Sequence, residues 1–236
     1  MDNAYTQRTA RLIGQAGVDT LAAKTVLIFG VGGVGSFAVE AIARAGIGHI
    51  ILVDADVFDP SNLNRQLGAV VDTIGRPKTE VMKERIVSIN PAAQVDTYQI
   101  FYLPEEQDGF IARSGADYVI DAIDTVQAKL AIIEEAYHEG IPVVSAMGAG
   151  NKLHPELFEV ADIEKTSVDP LAKVMRRELK KRNIRHIKVV YSKENPCRPR
   201  LTEPENHPSP GSISFVPSAA GLILAGVVIR DLLDIS

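Results

Sequence analysis

The chain has 236 residues, 46% of them hydrophobic, with a formal charge of −5 at pH 7 and a single cysteine. That size buries one substantial core, and the net charge gives no overall electrostatic reason to bind nucleic acid or anionic lipid, although a local patch overrides a mean. The lone Cys197 excludes an intrachain disulfide and any zinc site built from paired CxxC motifs, and it makes a reducing, cytoplasmic location the expected one.

The opening stretch MDNAYTQRTARLIG mixes charged and polar residues without an apolar run, so it does not read as a secretory signal. The first strand is predicted at TVLIFG (residues 25–30), a short continuous apolar run of the kind found in strands buried on both faces. SFAVEAIARAG (36–46) places Ala38, Ala41, Ile42 and Ala45 on one helical face and stops at Gly46. HIILVDAD (49–56) is a second strand, and RPKTEVMKERIVSIN (76–90) a helix with proline near its first turn. Further strands are predicted at VDTYQIF (95–101), DYVIDAID (117–124) and PVVSAM (142–147), with the helix TVQAKLAIIEEAYHEG (125–140) between the last two. Strands alternating with helices imply a Rossmann-like, doubly wound α/β sheet, mostly parallel, with right-handed crossovers.

After about residue 150 the rhythm changes. LFEVADIEKT (157–166), IKVVYSKE (187–194) and GSISFVP (211–217) read as strands outside the alternation, separated by the helix DPLAKVMRRELKKRN (169–183) and a Pro-rich loop (195–210). No linker marks an independent domain. Residues 1–236 therefore read as one domain, with a nucleotide-binding half (1–150) and a second half (151–236) that extends the sheet with antiparallel strands and builds one wall of the site. Near the end, the uninterrupted apolar run 219–229 is far shorter than the ~20 residues needed to span a bilayer. It reads as a buried or interface helix in which Gly221 and Ala225, four apart, permit close backbone approach.

The chemistry begins at GVGGVG (30–35), a G-x-G-x-x-G between a predicted strand and a predicted helix. Gly30 permits the tight turn, Gly32 lets backbone N–H groups approach phosphate, Gly33 continues the loop, and Gly35 lets helix and strand pack closely. Asp54, nineteen residues beyond Gly35, sits where an acid accepts from a ribose hydroxyl. No Gly-Lys-Ser/Thr follows, which excludes a Walker A loop. A nicotinamide enzyme needs little further charge beside such a loop, whereas an enzyme that splits ATP must neutralise charge on the α-phosphate and the departing pyrophosphate. Arg65 in SNLNRQ and Lys78 in GRPK supply cations on the carboxyl-end rim, Asn62 and Gln66 add neutral donors, and Asp124 is placed to hold Mg²⁺. Singly, each reads as a solvated loop residue or a cap; together on one rim they favour ATP.

GVGGVG, the Asp of LVDAD, SNLNRQ, GRPK and DAIDT, in this order and spacing, resemble the adenylation domain shared by ThiF, MoeB, HesA and the ubiquitin-activating enzymes, over roughly residues 5–150. The resemblance implies that Asp54 binds the ribose, that Asn62, Arg65 and Lys78 hold the ATP phosphates, and that Asp124 serves the metal. It also implies a homodimer, with Arg8 in YTQRTARLIG reaching over the phosphates of the partner's site and the second half contributing to dimerisation. The two CxxC pairs common in MoeB and ThiF are missing. The second half instead resembles the tRNA threonylcarbamoyladenosine dehydratase branch, through KTSVDPLAKVMRRELKKRNI, VVYSKE and PGSISFVPSAAGLILAGVVIRDLL. That implies ATP-dependent cyclisation of a threonylcarbamoyl group on a tRNA adenosine.

Residues 173–200 carry 11 Lys and Arg against 2 Asp and Glu, the charge distribution of a phosphate-binding strip on an acidic protein. With Leu171, Val174, Met175 and Leu179 facing inward, Lys173, Arg176, Arg177, Lys180 and Lys181 become candidate tRNA contacts; a solvated basic face is the alternative. Cys197, near Lys193, Arg198 and Arg200, matches the loop thiol that accepts acyl groups in some relatives, but between two prolines it is expected to be incidental. A sulfur-transfer partner remains open. The runner-up function is adenylation of the C-terminus of a ubiquitin-like sulfur carrier, disfavoured by the absent CxxC pairs. A nicotinamide-binding oxidoreductase or sensor is disfavoured by Arg65 with Lys78.

Overall fold

The computed structural model describes residues 4–103, 109–198 and 210–235. Seven strands among them form one sheet in the order β3-β2-β1-β4-β5-β7-β6: β1 (Thr25–Phe29), β2 (His49–Val53), β3 (Gln94–Tyr98), β4 (Tyr118–Asp121), β5 (Val143–Ala146), β6 (Phe158–Asp162) and β7 (Lys188–Ser192). β1 is central, with Val26 opposite Ile50 of β2 on one side and opposite Tyr118 of β4 on the other, both pairings parallel.

The continuous apolar runs reflect burial on two sides. Val26, Ile28, Ile50, Leu52 and Ile120 face one core, under α2 (Gly35–Ala45), α3 (Lys78–Ile89) and α7 (Phe215–Leu232). Leu27, Phe29, Ile51 and Val119 face the other, under α4 (Phe110–Ser114), α5 (Val126–His138) and α6 (Pro170–Lys181). Alternate residues of a strand point to opposite faces, so a strand covered on both sides shows no polar alternation. The N-terminal helix α1 (Gln7–Ala22) breaks at Gly14 (φ 76°) and buries Val18 and Leu21.

The second half extends this sheet as expected, with one refinement and one correction. β7 joins parallel to β5, and the edge strand β6 pairs antiparallel with β7, so the antiparallel character is confined to the edge. GSISFVP is not a strand: the chain enters α7 at Phe215. Its apolar residues continue a helical stripe, with Val216, Ala220, Leu224 and Val228 buried, and Pro217 falls in the first turn, where no intrahelical N–H bond is lost.

By length and apolarity alone α7 suffices to cross a membrane. In the fold it lies against α2, so closely that a Cβ on Gly221 would sit 2.2 Å from the carbonyl oxygen of Val34 and 3.0 Å from the amide of Ala38. Leu222 on its opposite side is half exposed. Gly221→Val therefore forces the helices apart and is expected to cost about 1–3 kcal/mol or more in urea unfolding; unchanged stability would contradict this packing.

Candidate active site

At the carboxyl end of β1 the chain turns sharply. Gly30 has φ +85°, donates its N–H to the Val53 carbonyl (2.8 Å), and leaves no room for a side chain, since a Cβ would meet the Ala122 backbone at 2.8 Å. A Cβ on Gly35 would lie 1.8 Å from the Gly30 carbonyl oxygen. The loop thus folds back on itself and delivers the N-terminus of α2 to the crevice between β1 and β4, where the strand order reverses. In sheets of this kind that crevice is where ligands bind, and a helix N-terminus there attracts negative charge.

A cavity of ≈ 760 Å³ opens at this point, bounded by the glycine turn, the ends of β2 and β4, and the segment 146–152 after β5. Asp54 is tied to the turn: Oδ2 accepts from the Val31 amide (2.6 Å) and Oδ1 from the Asp56 amide (2.9 Å). Burial pushes its carboxyl above the usual aspartate range, against the opposing pull of Lys78 and the two amides.

The SNLNRQ segment begins as a capped 3₁₀ turn, Pro60–Asn62. Asp59 accepts from the Ser61 amide (2.8 Å), and Asn62 Oδ1 accepts from the Asp59 amide (3.1 Å). Asn62 is buried and lines the cavity, but its carbonyl oxygen is committed to the cap. Arg65 projects from this turn. Its Nη1 donates to the Ser61 carbonyl (3.0 Å) and to Asn64 Oδ1 (2.8 Å), and no carboxylate pairs with it among the described residues. Lys78, buried at the start of α3, is held by Asp56 at 2.8 Å. Gln66 lines the cavity, and its Oε1 is buried with no partner among the described residues. Asp124 is exposed on the cavity wall beyond β4.

The support beneath Asp124 is not announced by any motif in the sequence. Asp121 and Lys129 form a fully buried pair at 2.8 Å; Lys129 Nζ also donates to the Ile123 carbonyl (3.0 Å) and Ser145 donates to Asp121 Oδ2 (2.6 Å). This network fastens the segment that carries Asp124 to β5 and α5. The available signal was a lysine on the apolar stripe of α5, one turn before Ile133. A second buried pair, Lys152 with Asp169, lines the far wall.

Other expected residues lie elsewhere. Arg8, on α1, is exposed and is not among the residues lining the cavity of its own chain. On α6, Ala172, Met175 and Leu179 are buried, with Leu171 and Val174 half-buried beside them. Lys173, Arg177, Lys180 and Lys181 are exposed, and Lys181 and Arg177 together hold the Glu178 carboxyl down to about 2. Arg176 corrects the outward reading: it is half-buried and donates twice to Thr166, to the carbonyl and to Oγ1, at 2.7 Å each. Cys197 is exposed, contacts Glu194 Oε1 at 3.8 Å, and does not line the cavity. Arg200 lies outside the described residues.

The ThiF family model matches residues 5–235. The chain belongs to the ThiF family. Over 238 aligned residues it is 45% identical to the tRNA threonylcarbamoyladenosine dehydratase of Bacillus subtilis (strain 168), covering 96% of this chain and 93% of that protein. The Escherichia coli (strain K12) enzyme of the same name is 42% identical over 183 residues, 76% of this chain and 68% of its own length. Among solved structures, the crystal structure of E. coli tRNA N6-threonylcarbamoyladenosine dehydratase with AMP superposes with TM-score 0.90 at 35% identity, covering 99% of this chain and 96% of that one. The structure of the same enzyme with ATP gives TM-score 0.89 at 34% identity and the same coverage.

Breaking the buried pair beneath Asp124 leaves a lone charge in the core. Lys129→Met is expected to lower stability by about 3–5 kcal/mol, and the double change Lys129→Met, Asp121→Asn to recover much of that loss. Equal stability of the single variant and the unaltered protein in chemical denaturation would contradict the pairing.

Proposed function

We propose that the chain is an ATP-dependent tRNA threonylcarbamoyladenosine dehydratase. It adenylates the carboxylate of N6-threonylcarbamoyladenosine in tRNA and closes the ring, releasing AMP and pyrophosphate. The observation that carries this reading is the single cavity that joins the glycine turn to Arg65 and Lys78, in a fold that superposes along 99% of its length on an enzyme of that name in complex with AMP. The fit is physical as well as topological. Gly30 and Gly35 admit no side chain, which sets the α2 N-terminus at the cavity where a phosphate would approach, and Gln66 Oε1 is buried without a partner among the described residues.

In this reading Asp54 accepts from the ribose, and the α2 N-terminus, Arg65 and Lys78 meet the phosphates. The substrate carboxylate, already ionised at neutral pH, needs no general base to attack the α-phosphorus. A carboxylate oxygen bonds to phosphorus as the bond to the bridging oxygen breaks, and pyrophosphate leaves. Arg65 and Lys78 stabilise the charge that shifts onto those oxygens. Attack by the neighbouring carbamoyl group on the acyl carbon then closes the ring, with loss of one carbamoyl proton, and expels AMP together with the substrate's former carboxylate oxygen. Because nucleophile and acyl group share one molecule, proximity supplies much of the rate.

Asp124 would hold Mg²⁺, which would supply further neutralisation of the charge on the phosphates. Asp124 suits that task as an exposed carboxylate on the cavity wall, held in place from below by the Asp121–Lys129 pair. Arg8 is proposed to complete the site of a second subunit in a homodimer, since it lies outside its own cavity lining. The exposed lysines of α6, Lys173 and Lys180 first, are proposed to meet tRNA phosphates. Neither has a carboxylate partner among the described residues.

The test is ATP–pyrophosphate exchange. It is expected only with threonylcarbamoyl-modified tRNA and to fall by about 100-fold or more in Arg65→Ala. Arg8→Ala and Arg65→Ala subunits, each deficient alone, should regain activity on mixing; no recovery would overturn the contribution of Arg8 across the dimer. Exchange that depends instead on a small protein ending in Gly-Gly would overturn the choice of substrate.

A further inference from the structure

The far wall of the cavity holds a lysine that neither the glycine turn nor the phosphate-binding cations account for. Lys152 follows β5 on the segment Met147 to Lys152, which lines the cavity, and its side chain is 1% exposed. An ammonium has three N–H donors. Among the described residues Lys152 has one acceptor, Asp169 Oδ2, at 3.4 Å. A buried charge with a single long contact has given up its hydration for little return, and such a group calls for another acceptor.

Its surroundings are built rather than incidental. Asp169 is 2% exposed and has divided its oxygens: Oδ1 caps α6 by accepting from the Ala172 amide (2.9 Å), and Oδ2 faces Lys152. Gly148 makes room for that carboxylate, since a Cβ there would lie 3.0 Å from Oδ2. Lys152 is thereby fastened to the first turn of the helix whose outer side carries Lys173 and Lys180. The same cavity reaches back to Arg65 and Lys78. Its two ends therefore differ in kind, with the glycine turn and α3 at one and a buried ammonium tied to the basic helix at the other.

We infer that Lys152 binds the carboxylate of the threonylcarbamoyl group, holding the acid in the cavity for attack on the α-phosphorus. The assignment rests on the dehydratase reading and deepens it: the site would select an acid over its neutral analogue. Lys152 supplies the fixed charge, and Asp169 orients it without neutralising it at close range. Once the acid has become an acyl phosphate, the same ammonium remains beside the carbonyl oxygen that gains charge during ring closure.

A cross of protein variant against ligand variant tests this. Binding of N6-threonylcarbamoyladenosine nucleoside, and of the same nucleoside with its carboxylate converted to a carboxamide, is measured by calorimetry. The protein is saturated with an ATP analogue whose α and β phosphorus atoms are joined by methylene. The unaltered protein is expected to prefer the acid by about 10- to 100-fold, as for a charge-assisted contact, and Lys152→Gln to bind both nucleosides alike while keeping its affinity for the ATP analogue. Because removing one member of a buried pair endangers folding, the double variant Lys152→Met, Asp169→Asn, which leaves no lone charge, is measured alongside with the same expectation. Retention of the acid preference by either folded variant overturns the assignment, as does an unaltered protein that binds both nucleosides equally. An unaltered protein that never forms AMP with modified tRNA instead overturns the dehydratase reading itself, a separate outcome.

Discussion

No side chain fits between Gly35 and the carbonyl of Gly30, and most of the site depends on that contact. A Cβ there would overlap the oxygen at 1.8 Å, so the loop can close only as glycine, and closing it sets the N-terminus of α2 beside the ends of β1 and β4. The Val31 amide is thereby presented to Asp54. The outer side of the loop is covered as well: Gly33 lies where a Cβ would be 3.3 Å from the Arg65 side chain and 3.4 Å from Pro217 of α7. Further along, Gly221 lets α7 press on the Val34 carbonyl. The turn is held from below by the sheet, from the side by α7 and from above by the arginine proposed to act on phosphate.

The cations around the cavity are held in two ways. Lys78, Lys129 and Lys152 are each ion-paired, with Asp56, Asp121 and Asp169 respectively, so their positions are set before any substrate arrives. Among the described residues Arg65 makes only neutral contacts, through Nη1, and has no carboxylate partner. Positive groups fixed in advance in a partly dry cleft stabilise developing negative charge without the reorganisation that water would need. The three pairs differ in depth. Asp56 is largely exposed, whereas Asp121 is wholly buried, which fits a phosphate contact for Lys78 and a supporting role for Lys129.

Much of this was legible in the residues because it is local. Continuous apolar runs marked strands buried on both faces, and the glycine spacing with Asp54 marked the turn and its acid. What escaped depends on partners distant in sequence or on competition between local patterns. GSISFVP alternates like a strand, yet Val216 continues the longer helical stripe of α7, and the longer pattern wins because it buries more apolar surface. Arg176 sits on the basic side of α6, but Thr166, ten residues earlier, offers two acceptors that turn it inward. Asn62 reads as a phosphate donor, and its oxygen is first of all a cap for Asp59. The Lys129–Asp121 pair closes the connection from β4 into α5, the Lys152–Asp169 pair ties the segment after β5 to the start of α6, and no spacing rule announces either.

In the proposed reaction a carboxylate of the substrate attacks the α-phosphorus of ATP. The path of one oxygen tests it most directly. With modified tRNA carrying ¹⁸O in the threonyl carboxylate, one labelled oxygen should appear in the phosphate of AMP for each ring closed, as read by mass spectrometry. Label recovered in inorganic phosphate beside ADP, or retained by the RNA and water with unlabelled AMP, would contradict it.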